Sequence, residues 1–585
     1  MRIALAQINP TVGDIAGNMT KIIGDIDRAA EAEADLVVFP ELAVVGYPPK
    51  DLLLKPDLID QCEAAMKRIA SHCRGITAVV GYPARSTQTA GRELYNAAAV
   101  CRDGRIIHTH LKHLLPTYDV FDETRYFEPG PKLDLATLEG TKLGISVCED
   151  LWNDREIFSR QLYHDNPIDE LAQLGAQLFI NCSASPFVLE KRTFRLNLLT
   201  HTAKRYGIPI VYVNQVGGND ELIFDGNSCI IDAEGEVVAH ARAFEEDLLV
   251  ADLPQLGYPP TPPTAARPDT CGGVSWDASP PPVSNRIEPA PEGLAELYHA
   301  LRLGLADYCK KCGFKSLVVG LSGGIDSALT AAIAVGALGA ENVTGIAMPS
   351  RYSSEHSISD ARELAEKLGI AFHLVPIDEA HAAMERSLAP VFEGTEPGVA
   401  EENIQARLRG NILMAYSNKF NAMLVTTGNK SEMAVGYCTL YGDMAGGLAV
   451  LSDVPKMLCY DLSRYLNTAE SPLVKQLGHA PIPEASITKP PSAELRPDQR
   501  DQDSLPTYDE LDAIILRYIE HLQPVTQIVE ETGFAAATVE RICALIDRNE
   551  YKRKQAAPGL KVTSRAFGFG RRMPMAQRFD PTAKL

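Results

Sequence analysis

Short apolar runs alternate along the chain with longer stretches whose apolar positions recur at helical spacing. In the first half, residues 3–7 read as a strand, 18–33 as a helix and 36–40 as a short buried strand. Runs at 76–80, 143–147, 177–180 and 208–213 predict further strands, and 227–231 followed by Gly235 predicts a strand and turn. The second half opens with a helix over 292–311. A strand at 316–320, a glycine-rich turn and a helix follow, then strands at 344–348 and 372–376 with a helix over 354–369 between them. Strands that alternate with helices in this way form a parallel sheet. The stretch 328–340 is the longest apolar candidate, but Thr330, Gly336 and Gly339 interrupt it, so it reads as a buried helix. It falls short of the roughly 20 residues that a membrane span requires.

Between the halves the pattern breaks. From 254 to 291 the chain is dense in proline, with Pro259-Pro260, Pro262-Pro263 and Pro280-Pro281-Pro282. Regular helix and central strand are both incompatible with that density. The segment therefore predicts a surface linker between one domain at 1–253 and another at 292–585. Residues 390–402 and 488–507 predict loops, and the sequence carries no internal repeat.

Composition narrows the class. A chain of 585 residues exceeds what one core absorbs. Hydrophobic residues at 45% and charged residues at 23% exclude a disordered or fibrous protein. Lys+Arg 56 against Asp+Glu 76 leaves a net charge of −20, which argues against holding nucleic acid or an anionic membrane by the overall field. Met1-Arg2 leads straight into a strand-like run, so no secretory leader is expected. The scattered cysteines fit reduced thiols in a cytosol better than a disulfide framework.

Three residues of the first half suit chemistry. Glu41 follows Phe39-Pro40, Lys112 stands in Leu111-Lys112-His113-Leu114-Leu115-Pro116, and Cys148 follows Ile145-Ser146-Val147 and precedes Glu149-Asp150. A thiolate is a strong nucleophile that needs help to form at neutral pH. A carboxylate can take its proton, and an ammonium can stabilise the oxyanion formed on attack at an amide. Taken singly, each has an ordinary reading: a small core residue, a solvated turn, a surface lysine. Together, with Asn214-Gln215-Val216-Gly217-Gly218 and Phe224-Asp225-Gly226-Asn227-Ser228 downstream, they resemble the carbon–nitrogen hydrolase (nitrilase-like) family. The resemblance covers nearly the whole first half. It implies an αββα sandwich with Glu41 as general base, Lys112 as oxyanion stabiliser and Cys148 as nucleophile.

In the second half, Leu321-Ser322-Gly323-Gly324-Ile325-Asp326-Ser327 follows a strand and opens a helix. Glycines let backbone N–H groups converge on an anion, and the helix N-terminus adds a favourable dipole. Ser322 and Ser327 offer hydroxyls, and Asp326 can hold a divalent cation. The sequence contains no G-x-x-x-x-G-K-[ST], which excludes a Walker-type NTPase. The loop resembles the pyrophosphate loop of ATP pyrophosphatases and implies a Rossmann-like parallel sheet. Thr426-Thr427-Gly428-Asn429-Lys430-Ser431-Glu432, Glu402-Asn403-Ile404-Gln405-Ala406-Arg407-Leu408-Arg409-Gly410, Tyr441-Gly442-Asp443, Asp453-Val454-Pro455-Lys456 and Lys489-Pro490-Pro491-Ser492-Ala493-Glu494-Leu495 narrow it further. With the first half, the set resembles the glutamine-dependent NAD synthetases over essentially the full length.

That resemblance implies the remaining roles. Residues 321–327, Thr427, Lys456 and Ser492 would hold ATP and its leaving pyrophosphate, and Asp326 and Glu432 would hold Mg²⁺. Asn403, Arg407, Glu432, Asp443 and Lys552 would meet deamido-NAD. Tyr118, Ser185 and Lys191 would contact glutamine. Ammonia is protonated in water, so a shielded path between the two sites is needed; a homo-oligomer is expected, and the acidic charge predicts no nucleic-acid or membrane partner.

Two rival readings remain open at this level. Another glutamine-fed adenylating ligase would keep both chemistries and change the acceptor. A degenerate sensor would bind adenine nucleotides without turnover, against which Glu41, Lys112, Cys148, Asp326 and Glu432 argue. Cys309-Lys310-Lys311-Cys312 lies in a helical pattern with no second pair nearby, which disfavours zinc or redox chemistry. His108, His110 and His113 surround Lys112 but alternate along a strand, so they do not converge on a metal. Trp152 reads as a packing residue.

Overall fold

The computed structural model describes residues 1–253, 284–492, 494–496 and 499–579, so most of the proline-dense segment, residues 254–283, lies outside the described residues. The chain divides into two compact units, Met1–Asn219 with Phe224–Pro291 and Asp220–Ile223 with Glu292–Leu585.

The first unit is built on two facing sheets, each six-stranded among the described residues. One runs edge to edge through Asp247–Asp252, Arg2–Gln7, Leu36–Val38, Thr77–Arg85, Leu94–Arg102 and Arg105–Leu111. The other runs through Val237–His240, Cys229–Ile231, Ile210–Asn214, Leu178–Ser183, Thr141–Val147 and Ala136–Leu138. Each has a parallel centre and antiparallel edges. Their inner faces share one core, with Ile3, Leu5, Leu36, Val38 and Val79 on one side and Ile145, Val147, Ile180, Val211 and Val213 on the other. The helices Ile15–Glu31 and Pro56–His72 cover the first sheet, and Pro167–Gln173 and Lys191–Tyr206 cover the second. This is the expected αββα sandwich.

The second unit carries a parallel sheet in the order Ala371–Leu374, Val343–Ala347, Leu317–Gly320, Met423–Thr426, Leu448–Ala449. The order reverses between Leu317–Gly320 and Met423–Thr426, and the crevice outside the carboxyl ends at such a switch point is where open α/β sheets bind ligands. The helix Ile325–Leu338 packs against Leu294–Lys311, and Val399–Phe420 packs on Leu317–Gly320 and Met423–Thr426. A separate helical core joins Leu511, Ile514, Ile528, Val539, Ile542 and Ile546.

The predicted strands are present with shifts of a few residues at their ends. The loop expected at 390–402 ends early, because Val399–Phe420 is helical and Glu401 caps its start through the Gly398 amide at 2.7 Å. The loop expected at 488–507 contains a short 3-10 turn, Asp501–Asp503. The hairpin of Leu94–Arg102 and Arg105–Leu111 and the helix Lys191–Tyr206 were not predicted.

Candidate active sites

Each residue of the first site sits where a strand has just ended. Glu41 lies beyond Leu36–Val38, and a Cβ on Gly81 of the neighbouring strand would come within 2.4 Å of the Pro40 carbonyl and the Leu42 amide. Only glycine permits that approach. Lys112 follows the unpredicted hairpin, whose turn residues Asp103 and Gly104 both have positive φ, +51° and +79°, as a tight two-residue connection requires. Cys148 follows Thr141–Val147 with φ +43°, a strained backbone that a functional residue commonly carries.

The buried Lys112 ammonium lies 2.7 Å from Glu41 Oε1 and 2.8 Å from both carboxylate oxygens of Glu123. Burial opposes its charge, yet Glu123 and Glu41 hold its pKa well above the ordinary lysine value. Burial pushes Glu123 upward, while Lys112 pulls it down. Asn96 Nδ2 donates to Glu41 Oε1 at 2.6 Å, the Ala184 amide to Glu41 Oε2 at 3.1 Å, and the Tyr47 hydroxyl to Glu123 at 2.9 Å. Burial and the nearby Glu41 raise the Cys148 thiol above its ordinary value, and Lys112 works against them. The thiol therefore holds its proton more tightly than an ordinary cysteine, in a cluster that also contains a buried carboxylate and a buried ammonium.

The residues expected at glutamine fall around this cluster. Tyr118 donates to both oxygens of Glu149 at 3.0 Å, and Tyr163 donates to the same carboxylate at 3.0 Å. Ser185 follows Ala184, and its amide donates to Asn214 Oδ1 at 2.9 Å. Lys191 donates to the Pro186 carbonyl at 3.0 Å and stands 5.1 Å over the Trp152 ring, which also stacks on Phe194.

The second site is a cavity of about 300 Å³ at the switch point. Leu321, Ser322, Gly324, Ile325, Asp326, Ser327, Thr427, Glu432, Asp443, Lys456 and Ser492 all line it. Gly323 does not; it has φ +79°, and a Cβ there would lie 2.5 Å from the Ser357 carbonyl, so it shapes the loop. Asn403, Arg407 and Lys552 stand outside the lining. Asn403 Oδ1 accepts from Thr439 Oγ1 at 2.8 Å, Arg407 Nε donates to the Leu440 carbonyl at 3.2 Å, and Lys552 Nζ donates to the Gly436 and Cys438 carbonyls at 2.7 Å. Those contacts gather on the 436–443 segment, whose Asp443 faces the cavity and accepts from the Thr439 amide at 2.7 Å. Asp443 is exposed toward the cavity, and desolvation by the surrounding walls pushes its carboxyl up to about 6.

Lys456 donates to Asp326 and lies 3.4 Å from Glu432. Burial and the neighbouring Asp326 raise the Glu432 carboxyl well above the usual carboxylate range, against the pull of Lys456. The two carboxylates already gather the Lys456 cation between them, and as hard-oxygen donors they are of the kind that suits Mg²⁺.

The first half matches the carbon–nitrogen hydrolase model over residues 2–258 and the second matches the NAD synthase model over 297–556. A glutamine-dependent NAD(+) synthetase of Synechocystis sp. is 47% identical over 99% of both chains, and one of Thermotoga maritima is 43% identical over 99% of both. The chain belongs to the glutamine-dependent NAD(+) synthetase family. A solved member from Acinetobacter baumannii, in complex with adenosine diphosphate, aligns with TM-score 0.72 at 39% identity over 98% of each chain. One from Cytophaga hutchinsonii has the same fold, with TM-score 0.79 at 23% identity over 99% of this chain and 98% of its own.

Several residues that shape this synthetase were not singled out in the sequence. Glu123 sits in the charged run Asp122-Glu123-Thr124-Arg125, which reads as a solvated turn. Asp150 accepts from the Val147, His113 and Leu114 amides at 2.9, 3.0 and 2.8 Å, and so ties the Cys148 turn to the segment after Lys112. The Ser431 hydroxyl accepts from the Lys456 amide at 2.9 Å and bonds Asp512, which also accepts from the Met457 amide at 2.9 Å. This pair sets where Lys456 enters the cavity.

Proposed function

We propose that the chain makes NAD from deamido-NAD in two coupled reactions: glutamine hydrolysis within residues 1–253 and ATP-dependent amidation within 292–585, joined by 254–291. Family membership supports the overall reaction and ATP as co-substrate, and the Glu41–Lys112–Cys148 cluster is the observation that carries the glutamine half. As Cys148 attacks the side-chain amide, Glu41 takes the thiol proton and delivers it to the leaving nitrogen. Lys112 steadies the oxyanion, and ammonia departs. A water activated by Glu41 then hydrolyses the thioester to glutamate. Tyr118, Ser185 and Lys191 orient the substrate.

In the second unit, residues 321–327, Thr427, Lys456 and Ser492 hold ATP. Asn403, Arg407, Asp443, Glu432 and Lys552 orient deamido-NAD. Its carboxylate attacks the α-phosphate, pyrophosphate leaves, and ammonia displaces AMP from the acyl-adenylate. Asp326 and Glu432 would hold Mg²⁺, which neutralises phosphate charge when bound. Ammonia must travel unprotonated, so a shielded path belongs to this reading.

Among the described residues no helix is long and apolar enough to cross a membrane. The described cysteines are free thiols, which supports a place in a reducing cytosol. A homo-oligomer is part of the same proposal, and sedimentation analysis tests it.

The test of the two-site reading is a pair of variants assayed with both nitrogen donors. Cys148→Ala should abolish glutamine-dependent synthesis and keep ammonia-dependent synthesis. Asp326→Ala should abolish both and keep basal glutamine hydrolysis. Equal loss with both donors in Cys148→Ala would refute the division of labour.

A further inference from the structure

The helix Val399–Phe420 turns one face to the ATP cavity. Ala406, Arg409, Gly410 and Leu413 line it, at the spacing of a single helical face. Arg407 points off that face to the Leu440 carbonyl. Arg409 instead donates from Nε to the Met348 carbonyl at 2.9 Å, one residue past the strand Val343–Ala347. The guanidinium is thereby anchored at the carboxyl ends of the sheet, where the crevice opens.

Three cationic side chains line this cavity: Arg409, Lys456 and Lys489. Lys456 is taken up by Asp326 and Glu432, and Lys489 by Ser357 and Glu494, the latter at 3.0 Å. Among the described residues no carboxylate pairs with Arg409, and its Nη1 and Nη2 donors make no hydrogen bond. The side chain is half-buried: burial lowers its pKa, and the charges of Glu494, Asp443 and Asp378 act against that without pairing with it. A half-buried cation with no carboxylate paired to it is costly to keep. A planar fork with one edge fixed and the other open is suited to bidentate capture of a phosphate or carboxylate.

We propose that Arg409 is a substrate anion-binding residue of the adenylation site, its Nη edge closing on oxygens of an ATP phosphate or of the anionic groups of deamido-NAD. This rests on reading the cavity as the ATP site and adds, beside Lys456, a second cation that meets substrate charge.

The test uses the full-length enzyme with Arg409→Gln and Arg409→Lys. Titration calorimetry with α,β-methylene-ATP and Mg²⁺, and separately with deamido-NAD, reads the two possible anion sources. Arg409→Gln should lose roughly ten- to a hundredfold in affinity for at least one ligand. Arg409→Lys should recover part of the loss, since it keeps the charge without the fork. Loss confined to the ATP analogue assigns the bond to phosphate, and loss confined to deamido-NAD assigns it to the acceptor. Unchanged affinity for both ligands overturns the proposal. So does an equal loss in both variants accompanied by a lowered melting temperature, because that pattern marks a structural arginine. The parent enzyme's own yield of AMP and NAD is measured alongside. Its absence would strike the synthetase reading, whereas failure of this inference appears only in the variants.

Discussion

Replacing Glu123 by glutamine isolates what the second carboxylate around Lys112 contributes. The side chain keeps its shape, but one of the two oxygens that face the ammonium at 2.8 Å becomes an NH₂ donor. Donor then meets donor in a site from which water is excluded. The other oxygen persists as a neutral acceptor. One charge-assisted bond is lost and one is weakened, at a cost of about 3 kcal/mol to stability. Out of a typical total of about 5–15 kcal/mol, the variant should still fold, with an earlier denaturation midpoint.

Catalysis should suffer separately. In the parent, one ammonium is held between two carboxylates beside a thiol whose pKa is already raised. In Glu123→Gln, Lys112 keeps Glu41 as its one charged partner and is no longer fixed from both sides. An ammonium drawn onto Glu41 alone is displaced from the oxyanion and occupies the carboxylate proposed to take the thiol proton, so both proposed roles should suffer. Glutamine kcat/KM should fall about a hundredfold, equivalent to about 2.7 kcal/mol. Glutamate release measures this, and ammonia-fed NAD synthesis is the internal control. Glutamine kcat/KM within twofold of the parent, with stability lowered as expected, would leave Glu123 a structural residue and refute the argument.

Glu432 holds a proton more tightly than an ordinary carboxyl, and a divalent cation needs the carboxylate. Mg²⁺ binding with ATP should therefore release protons at pH 7 and tighten as pH rises; calorimetry in buffers of different ionisation enthalpy reads the count, and zero release argues against Glu432 as a ligand. Arg407→Ala should raise the KM for deamido-NAD about tenfold and leave that for ATP near the parent value. An unchanged KM for deamido-NAD would remove Arg407 from the acceptor site.

The grouping of Glu41, Lys112 and Cys148 was legible because each carries a local signature at a strand end. What was not legible is what they stand on. The strand Leu94–Arg102 is mostly small residues, and Arg105–Leu111 is half exposed, so neither shows clean alternation, although Asp103-Gly104 between them is a hairpin signal. The helix Lys191–Tyr206 hides for a related reason. Its buried face includes Thr202 and Arg195, which pairs with Asp225 at 2.6 Å, and a salt bridge in the core leaves no hydrophobic period to read.

The second site shows where a motif stops and packing begins. Asn403, Arg407 and Arg409 stand close together in the segment 402–410, and residues four apart on a helix share a face. That rule correctly groups Asn403 with Arg407 but cannot say which face meets the crevice. The helix Val399–Phe420 carries no strong apolar stripe to orient it. Its rotation is set by contacts distant in sequence. Gly410 admits the backbone of 441–442, whose Gly442 carbonyl would lie 2.8 Å from any added Cβ, and Gln405 donates to the Leu495 carbonyl at 2.9 Å. With those two contacts made, Arg409 turns inward and Arg407 outward. A bulkier side chain at Gly410 should therefore rotate the helix and weaken substrate binding without touching any charged group. Gly410→Ala tests this through the KM for ATP in the ammonia-fed reaction, and an unchanged KM would mean that the helix takes its orientation from elsewhere.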